Sequence, residues 1–326
     1  MTAARRRLRC RPQPRSRRRC ARSQQRALAA AASWAAGEGG GQDALPAAAL
    51  EAKVRALAAA RGDGEGVLRG GQCRVLPIGE ACAGGPLERE IFQAVNGLFA
   101  TSGLYYLQQG MRVARVDCVL NAAVEERFEA ARAEFAAAGC GDEEFPLFHG
   151  AGADAVAGIC DKGFLTPQQV VALGLGAVLD PGYFGNGIYV GLQADYAVHY
   201  AQTYRGSPHV IIARAAPGRV YDVQVREGVP PQQQEAFGQP CKAGFHSHRS
   251  PQGKELVLFQ AEQLVPMFVL TLAGGEHVSA ADRVAAAAVA APAPEEEQPD
   301  GAGGGAGGGG GGGVFFAPDD YTQALA

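Results

Sequence analysis

The chain has 326 residues, 47% of them hydrophobic, with 46 Gly and a formal net charge of −3. Residues 1–26 hold 11 Arg and no Lys, Asp or Glu, so the other 300 residues carry 19 basic against 33 acidic side chains, a net of −14. An acidic body with one basic end excludes a body-wide nucleic-acid footprint, and no run of 18 apolar residues offers a transmembrane helix, so no membrane partner is expected.

Residues 1–46 form an Arg-rich leader that cannot bury a core, and Pro12, Pro14 and Pro46 interrupt any helix, so disorder is expected. No apolar stretch precedes Ala27, which argues against a secretory signal. The leader fits a nuclear-localisation patch or a nucleic-acid contact through residues 1–26, placing the protein in the nucleus. Arg, Ala and Ser without acids also fit a transit peptide, which leaves an organellar or a cytoplasmic location open, and an unstructured leader is the third reading.

Residues 47–110 read as a short helical approach, with helices at about 47–60 and 86–98. In the second of these Leu87, Ile91, Val95 and Leu98 recur at helical spacing. From Ala114 to Leu120 the pattern alternates, with Ala114, Val116, Cys118 and Leu120 to one side and Arg115 and Asp117 to the other, as in a half-buried strand. Asn121 can cap a helix striped by Val124, Phe128, Ala131 and Phe135, which Gly139 ends. Short strands follow at 145–149, 187–190, 209–214, 255–259 and 267–272, with helices at 153–162 and 193–204. Strands and helices do not alternate as regular βαβ units, so the 111–275 region is α+β with a mixed or antiparallel sheet. Residues 276–313 form a low-complexity linker, with 11 Gly in the 13 positions 301–313, and residues 314–326 a tail that regains aromatics. Both termini are expected to be disordered.

The eight cysteines, at 10, 20, 73, 82, 118, 140, 160 and 241, contain no CxxC pair and read as reduced thiols of an intracellular protein. Single motifs say little. GNGIYVG lacks the strand–GxGxxG–helix setting of a dinucleotide turn, and His246 and His248 have no Cys or acid at ligand spacing, so no metal is expected.

Three separated segments say more together: LFHG (147–150) running into AGADAVAGICDKGF (151–164), GYFGNGIYVGLQADYAVHYA (182–201) and GKELVLFQAEQLVPMFVLTL (253–272). These resemble the catalytic domain of the poly(ADP-ribose) polymerase family, the diphtheria-toxin-like ADP-ribosyltransferases. The family's His-Tyr-Glu set falls on His149, Tyr189 and Glu255, and the resemblance extends over roughly residues 110–273. It implies sheets around an NAD+-binding cleft, NAD+ as substrate and proteins as acceptors of ADP-ribose.

The chemistry of the residues agrees with that resemblance. Cleaving NAD+ at its glycosidic bond passes through an oxocarbenium-like transition state that a nearby carboxylate stabilises. The resemblance puts Glu255 there, Tyr189 and Tyr200 on the two faces of the nicotinamide, and His149 on the adenosine ribose. It also implies that the Gly150 backbone meets the carboxamide and that Gly187 and Ala197 line the cofactor site. Two positions depart from the family. Ala151 replaces the usual Ser or Thr after His-Gly, and Ala197 replaces the serine that holds the carboxamide. Two lost hydrogen bonds weaken NAD+ binding by roughly ten- to a hundredfold. The surrounding sequence resembles the mono-ADP-ribosylating branch, whereas Glu255 is the residue of polymerising members, and the expectation leans slightly to single-unit transfer. The alternative is an inactive NAD-site relic serving as an interaction scaffold.

Overall fold

A computed structural model describes residues 47–62, 73–79, 84–140, 144–175 and 181–274. The leader 1–46, the linker 276–313 and the tail 314–326 lie outside the described residues.

The central strands are apolar on both faces. In β5 (His209–Ala215) Val210 and Ile212 face one core while Ile211, Ala213 and Ala215 face another, so HVIIARA needs cover on both sides. β9 (Leu264–Ala273) and β3 (Phe145–Ala151) flank it, both antiparallel. β2 (Arg112–Asn121) pairs with β9, and β1 (Cys73–Ile78) with β2 at the sheet edge. On the other side run β4 (Ile188–Gly191), β8 (Glu255–Leu258), β7 (Ser247–Arg249) and β6 (Val220–Asp222). The nine strands form one sheet in the order β1-β2-β9-β5-β3-β4-β8-β7-β6, and the β6–β7 pair is parallel. This is the expected α+β class with a mixed, mainly antiparallel sheet.

One face is covered by α1 (Ala47–Arg61), α2 (Pro86–Ala100) and α7 (Ala194–His199), whose Leu50, Val54, Ile91, Phe99 and Val198 are buried against the strands. On the other face α5 (Ala153–Lys162) brings Cys160 against Cys73 and Val119, and the short α6 (Pro167–Ala172) follows it in the chain. α4 (Ala122–Ala137) starts as its sequence directs: the Asn121 side chain accepts from the Val124 N–H at 3.2 Å, and Val124, Phe128, Ala131 and Phe135 are all buried. Gly139, at φ 66°, follows it.

Three features differ from the sequence reading. The approach region holds not only two helices but also β1 and the short α3 (Leu104–Gln108). β2 is buried on both faces at its C-terminal half, because Val119 packs under α5 while Cys118 faces α1 and α2. A register shift between Val113 and Arg115 also turns Val113 inward, which simple alternation does not anticipate. The helix expected at 193–204 breaks into α7 and a π-helical turn over Tyr200–Tyr204. Such turns are frequent at functional sites.

Candidate active site

Adjacent strands gather the residues singled out in the sequence. In the β4–β8 ladder Tyr189 lies opposite Val257 and Gly191 opposite Glu255, while Phe148 of β3 pairs with Gly191 on the other side. Alternation then divides the side chains. Ile188, Val190, Leu256 and Leu258 enter the core under α5, and Tyr189 packs with Val257 and Phe184 on the opposite face. His149 follows Phe148, and its ring stands edge-on to Phe164 at 5.3 Å.

The His149 ring is oriented by the second motif. Its Nδ1 lies 2.9 Å from the Tyr189 carbonyl, and a carbonyl only accepts, so Nδ1 carries the proton. Burial lowers the imidazole pKa, which keeps the ring neutral and leaves Nε2 as an acceptor. The Tyr189 hydroxyl donates to the Gly185 carbonyl at 3.0 Å and accepts from the Phe184 N–H at 2.8 Å. The phenol thereby pins the turn that precedes its own strand.

Glu255 opens β8 and is buried, 5% exposed. Its backbone N–H donates to Ser250 Oγ at 3.2 Å, and its carbonyl accepts from the Ser250 N–H at 3.1 Å. The phenol of Tyr196 lies near this carboxylate: burial pushes its pKa far up, with Glu255 and Tyr200 adding to it. Tyr196 therefore remains protonated, with a hydrogen that it can donate to a carboxylate. The Tyr196 and Tyr200 hydroxyls lie 3.5 Å apart and their rings 5.0 Å apart, and Tyr204 continues the row 4.9 Å beyond Tyr200. Tyr196 was missed in the sequence. The available signal was its spacing of four from Tyr200, which places both on one face of a helix.

α7 is held in place from outside the motif. Asp195 accepts from the Tyr105 and Tyr106 N–H groups at 3.2 and 3.3 Å, while Ser102 Oγ accepts from the Ala194 N–H at 3.1 Å. Each helix start thus caps the other. His199 contacts the Tyr106 hydroxyl at 3.4 Å, and burial drops its pKa to about 4.

Gly150 is required by packing. A Cβ there would stand 2.2 Å from the Ala197 carbonyl oxygen and 2.7 Å from the Ala201 nitrogen, so the glycine lets α7 close onto β3. At Gly187 a Cβ would meet the Leu258 carbonyl oxygen at 2.6 Å. Ala197 and Ala151 are buried methyl groups, one in each apolar core.

The two histidines of the FHSHRS segment are structural. His248 lies on β7, with Nδ1 donating to the Phe184 carbonyl at 2.7 Å and Nε2 accepting from the Lys242 N–H at 2.9 Å. His246 accepts from the Arg219 N–H at 3.0 Å and packs on Phe135. Among the described residues no three His, Cys, Asp or Glu gather as a metal site, and no helix is long and apolar enough to cross a membrane. Cys73, Cys118, Cys140, Cys160 and Cys241 are free thiols.

Adjacent strands of an α+β domain thus present a histidine, a tyrosine and a buried glutamate. The family model for the poly(ADP-ribose) polymerase catalytic domain matches residues 90–267, and the chain belongs to that family. Among solved structures, the crystal structure of the TASOR pseudo-PARP domain aligns with a TM-score of 0.45 and 17% identity, over 63% of this chain and 100% of that one. No curated protein gives a significant match.

Proposed function

We propose that the protein is an NAD+-dependent ADP-ribosyltransferase acting on protein acceptors. The observation that supports this most is the junction of three distant segments, in which His149 bonds to the Tyr189 carbonyl while Glu255 opens the strand paired with that of Tyr189. In the proposed reaction the C1′–N bond of NAD+ breaks, and nicotinamide leaves with the bonding pair as a neutral base. The carboxylate of Glu255 stabilises the positive ribosyl carbon, the acceptor nucleophile bonds to C1′, and its proton passes to Glu255. Tyr189 and Tyr200 bracket the nicotinamide, and the Nε2 lone pair of His149 accepts from a ribose hydroxyl. Gly150, Gly187 and Ala197 line the cofactor site, and no metal takes part.

Incubation with labelled NAD+ tests the proposal. Wild type is expected to label protein and release nicotinamide, and Glu255→Gln to lower the rate about 10²- to 10³-fold, as the loss of a transition-state electrostatic partner does. Mass spectrometry of the products is expected to show single ADP-ribose units. Equal silence of both proteins, with NAD+ still bound, would establish the second reading, a non-catalytic scaffold. The buried methyls of Ala151 and Ala197, where the family offers hydroxyls, favour that second reading. The Arg-rich residues 1–26 are proposed as a nuclear address that also contacts nucleic acid. Binding should weaken steeply with salt and vanish when they are deleted.

A further inference from the structure

The residue directly across the ladder from Glu255 is Gly191, where a Cβ would stand 2.9 Å from the Gln193 carbonyl oxygen, so no side chain of β4 comes between Glu255 and the helix above it. A Cβ there would come within 3.4 Å of Tyr196 Cβ and 3.6 Å of its Cδ1. Tyr196 thus packs over Gly191 beside Glu255, with its ring against Tyr200 at 5.0 Å and its phenol close enough for the Glu255 charge to raise its pKa. The helix start beneath it is fixed by Asp195 on the Tyr105 and Tyr106 amides and by Ser102 on Ala194. A buried carboxylate with rotatable bonds has in this phenol a donor that favours one orientation.

We infer that Tyr196 is the positioning residue of Glu255: it donates its phenolic hydrogen to the carboxylate and holds it in the orientation that serves the nicotinamide ribose. The inference rests on the transferase reading of the site, and Tyr196 acts through Glu255 rather than on NAD+. A tyrosine serving only as a packing plug would need its ring but not its hydroxyl.

The groups facing Glu255 limit what else could shift its ionisation. These are the phenol of Tyr196 on α7 and, behind it, that of Tyr200 at the start of the π-helical turn. Arg249 of β7 pairs with Leu256, on the face opposite Glu255, and is committed to Asp222 at 2.6 Å, while Lys254 precedes Glu255 in the chain.

The test compares the full-length chain with Tyr196→Phe, which keeps the ring. With NAD+ as probe, kcat for nicotinamide release is expected to fall about tenfold, the loss of one hydrogen bond to a charged group, while KM for NAD+ stays unchanged. Removing a donor disfavours the carboxylate, so the acid limb of the kcat profile should move to higher pH. The Glu255 carboxyl ¹³C resonance should titrate at correspondingly higher pH in the variant. Unchanged kcat and acid limb in an active protein overturn this inference alone. A silent wild type overturns the transferase reading, and the carboxyl titration then still decides whether Tyr196 governs Glu255: an unmoved midpoint overturns the inference in either case.

Discussion

The imidazole of His149 is held by the backbone of Tyr189, through a 2.9 Å hydrogen bond from Nδ1 to the carbonyl oxygen. Two motif residues 40 positions apart are therefore one unit, and the bond decides which nitrogen is left as acceptor. His149→Phe keeps the edge contact with Phe164 but loses both nitrogens. It should weaken NAD+ binding about tenfold, in line with one or two lost hydrogen bonds. Titration calorimetry with NAD+ checks this. An unchanged affinity would remove His149 from the cofactor site.

Burial sets the response to acid. His149, His199, His209, His246 and His248 all have pKa values lowered by burial, that of His199 from 6.5 to about 4. Unfolding lets each return to its ordinary value, so between the two pKa values the unfolded chain binds more protons. Their contribution to stability is complete above about pH 6.5 and is lost as pH falls towards the folded values. Tm is expected to decline from pH 7 to 5, before most carboxylates titrate. In His199→Phe the decline should be shallower, which scanning calorimetry in a series of buffers would show.

Much of this arrangement is legible in the sequence because it depends on local patterns. Asn121 before an apolar stripe gives a capped helix, and HVIIAR (209–214) gives a short strand. What was not legible depends on partners distant in the chain. β1 reads poorly because Pro77 interrupts CRVLPI, and it is tolerated because β1 is an edge strand with one neighbour. β6 and β7 have three residues each, too few for a period to register. The triad of His149, Tyr189 and Glu255 emerged from the resemblance of three segments. The place of Tyr196 beside Glu255 follows from the register that sets Gly191 opposite the glutamate, and no spacing in the chain encodes that register.

Gly150 separates packing from binding. Because the atoms a Cβ would strike are backbone, Ala197 O at 2.2 Å and Ala201 N at 2.7 Å, α7 must move if a methyl is added. Gly150→Ala should destabilise the domain by about 1–3 kcal/mol, the usual cost of overpacking. It should also displace Tyr196 and Tyr200, which ride on the same helix and turn. Urea denaturation and near-ultraviolet circular dichroism measure the two effects, and a variant of native stability would contradict the close approach.

Arg214 carries the strongest electrostatic expectation. It projects from the central strand β5, 8% exposed, and pairs with Glu51 of α1 at 2.5 Å, Glu144 ahead of β3 at 3.2 Å, and Glu129 of α4. Its guanidinium carbon lies 4.9 Å from the centre of the Phe128 ring. Burial opposes the charge, but the carboxylates of Glu144, Glu51 and Glu129 outweigh it and raise the pKa. One cation thus joins three elements, and removing it leaves three acids facing each other over a buried strand. Arg214→Met should cost about 3–5 kcal/mol, the range for breaking a buried ion pair from one side. Glu129→Gln alters only a half-exposed partner and should cost less than about 1 kcal/mol. Denaturation midpoints of the two variants in urea test that contrast, and equal losses would mean that the Arg214 cluster behaves as a surface network.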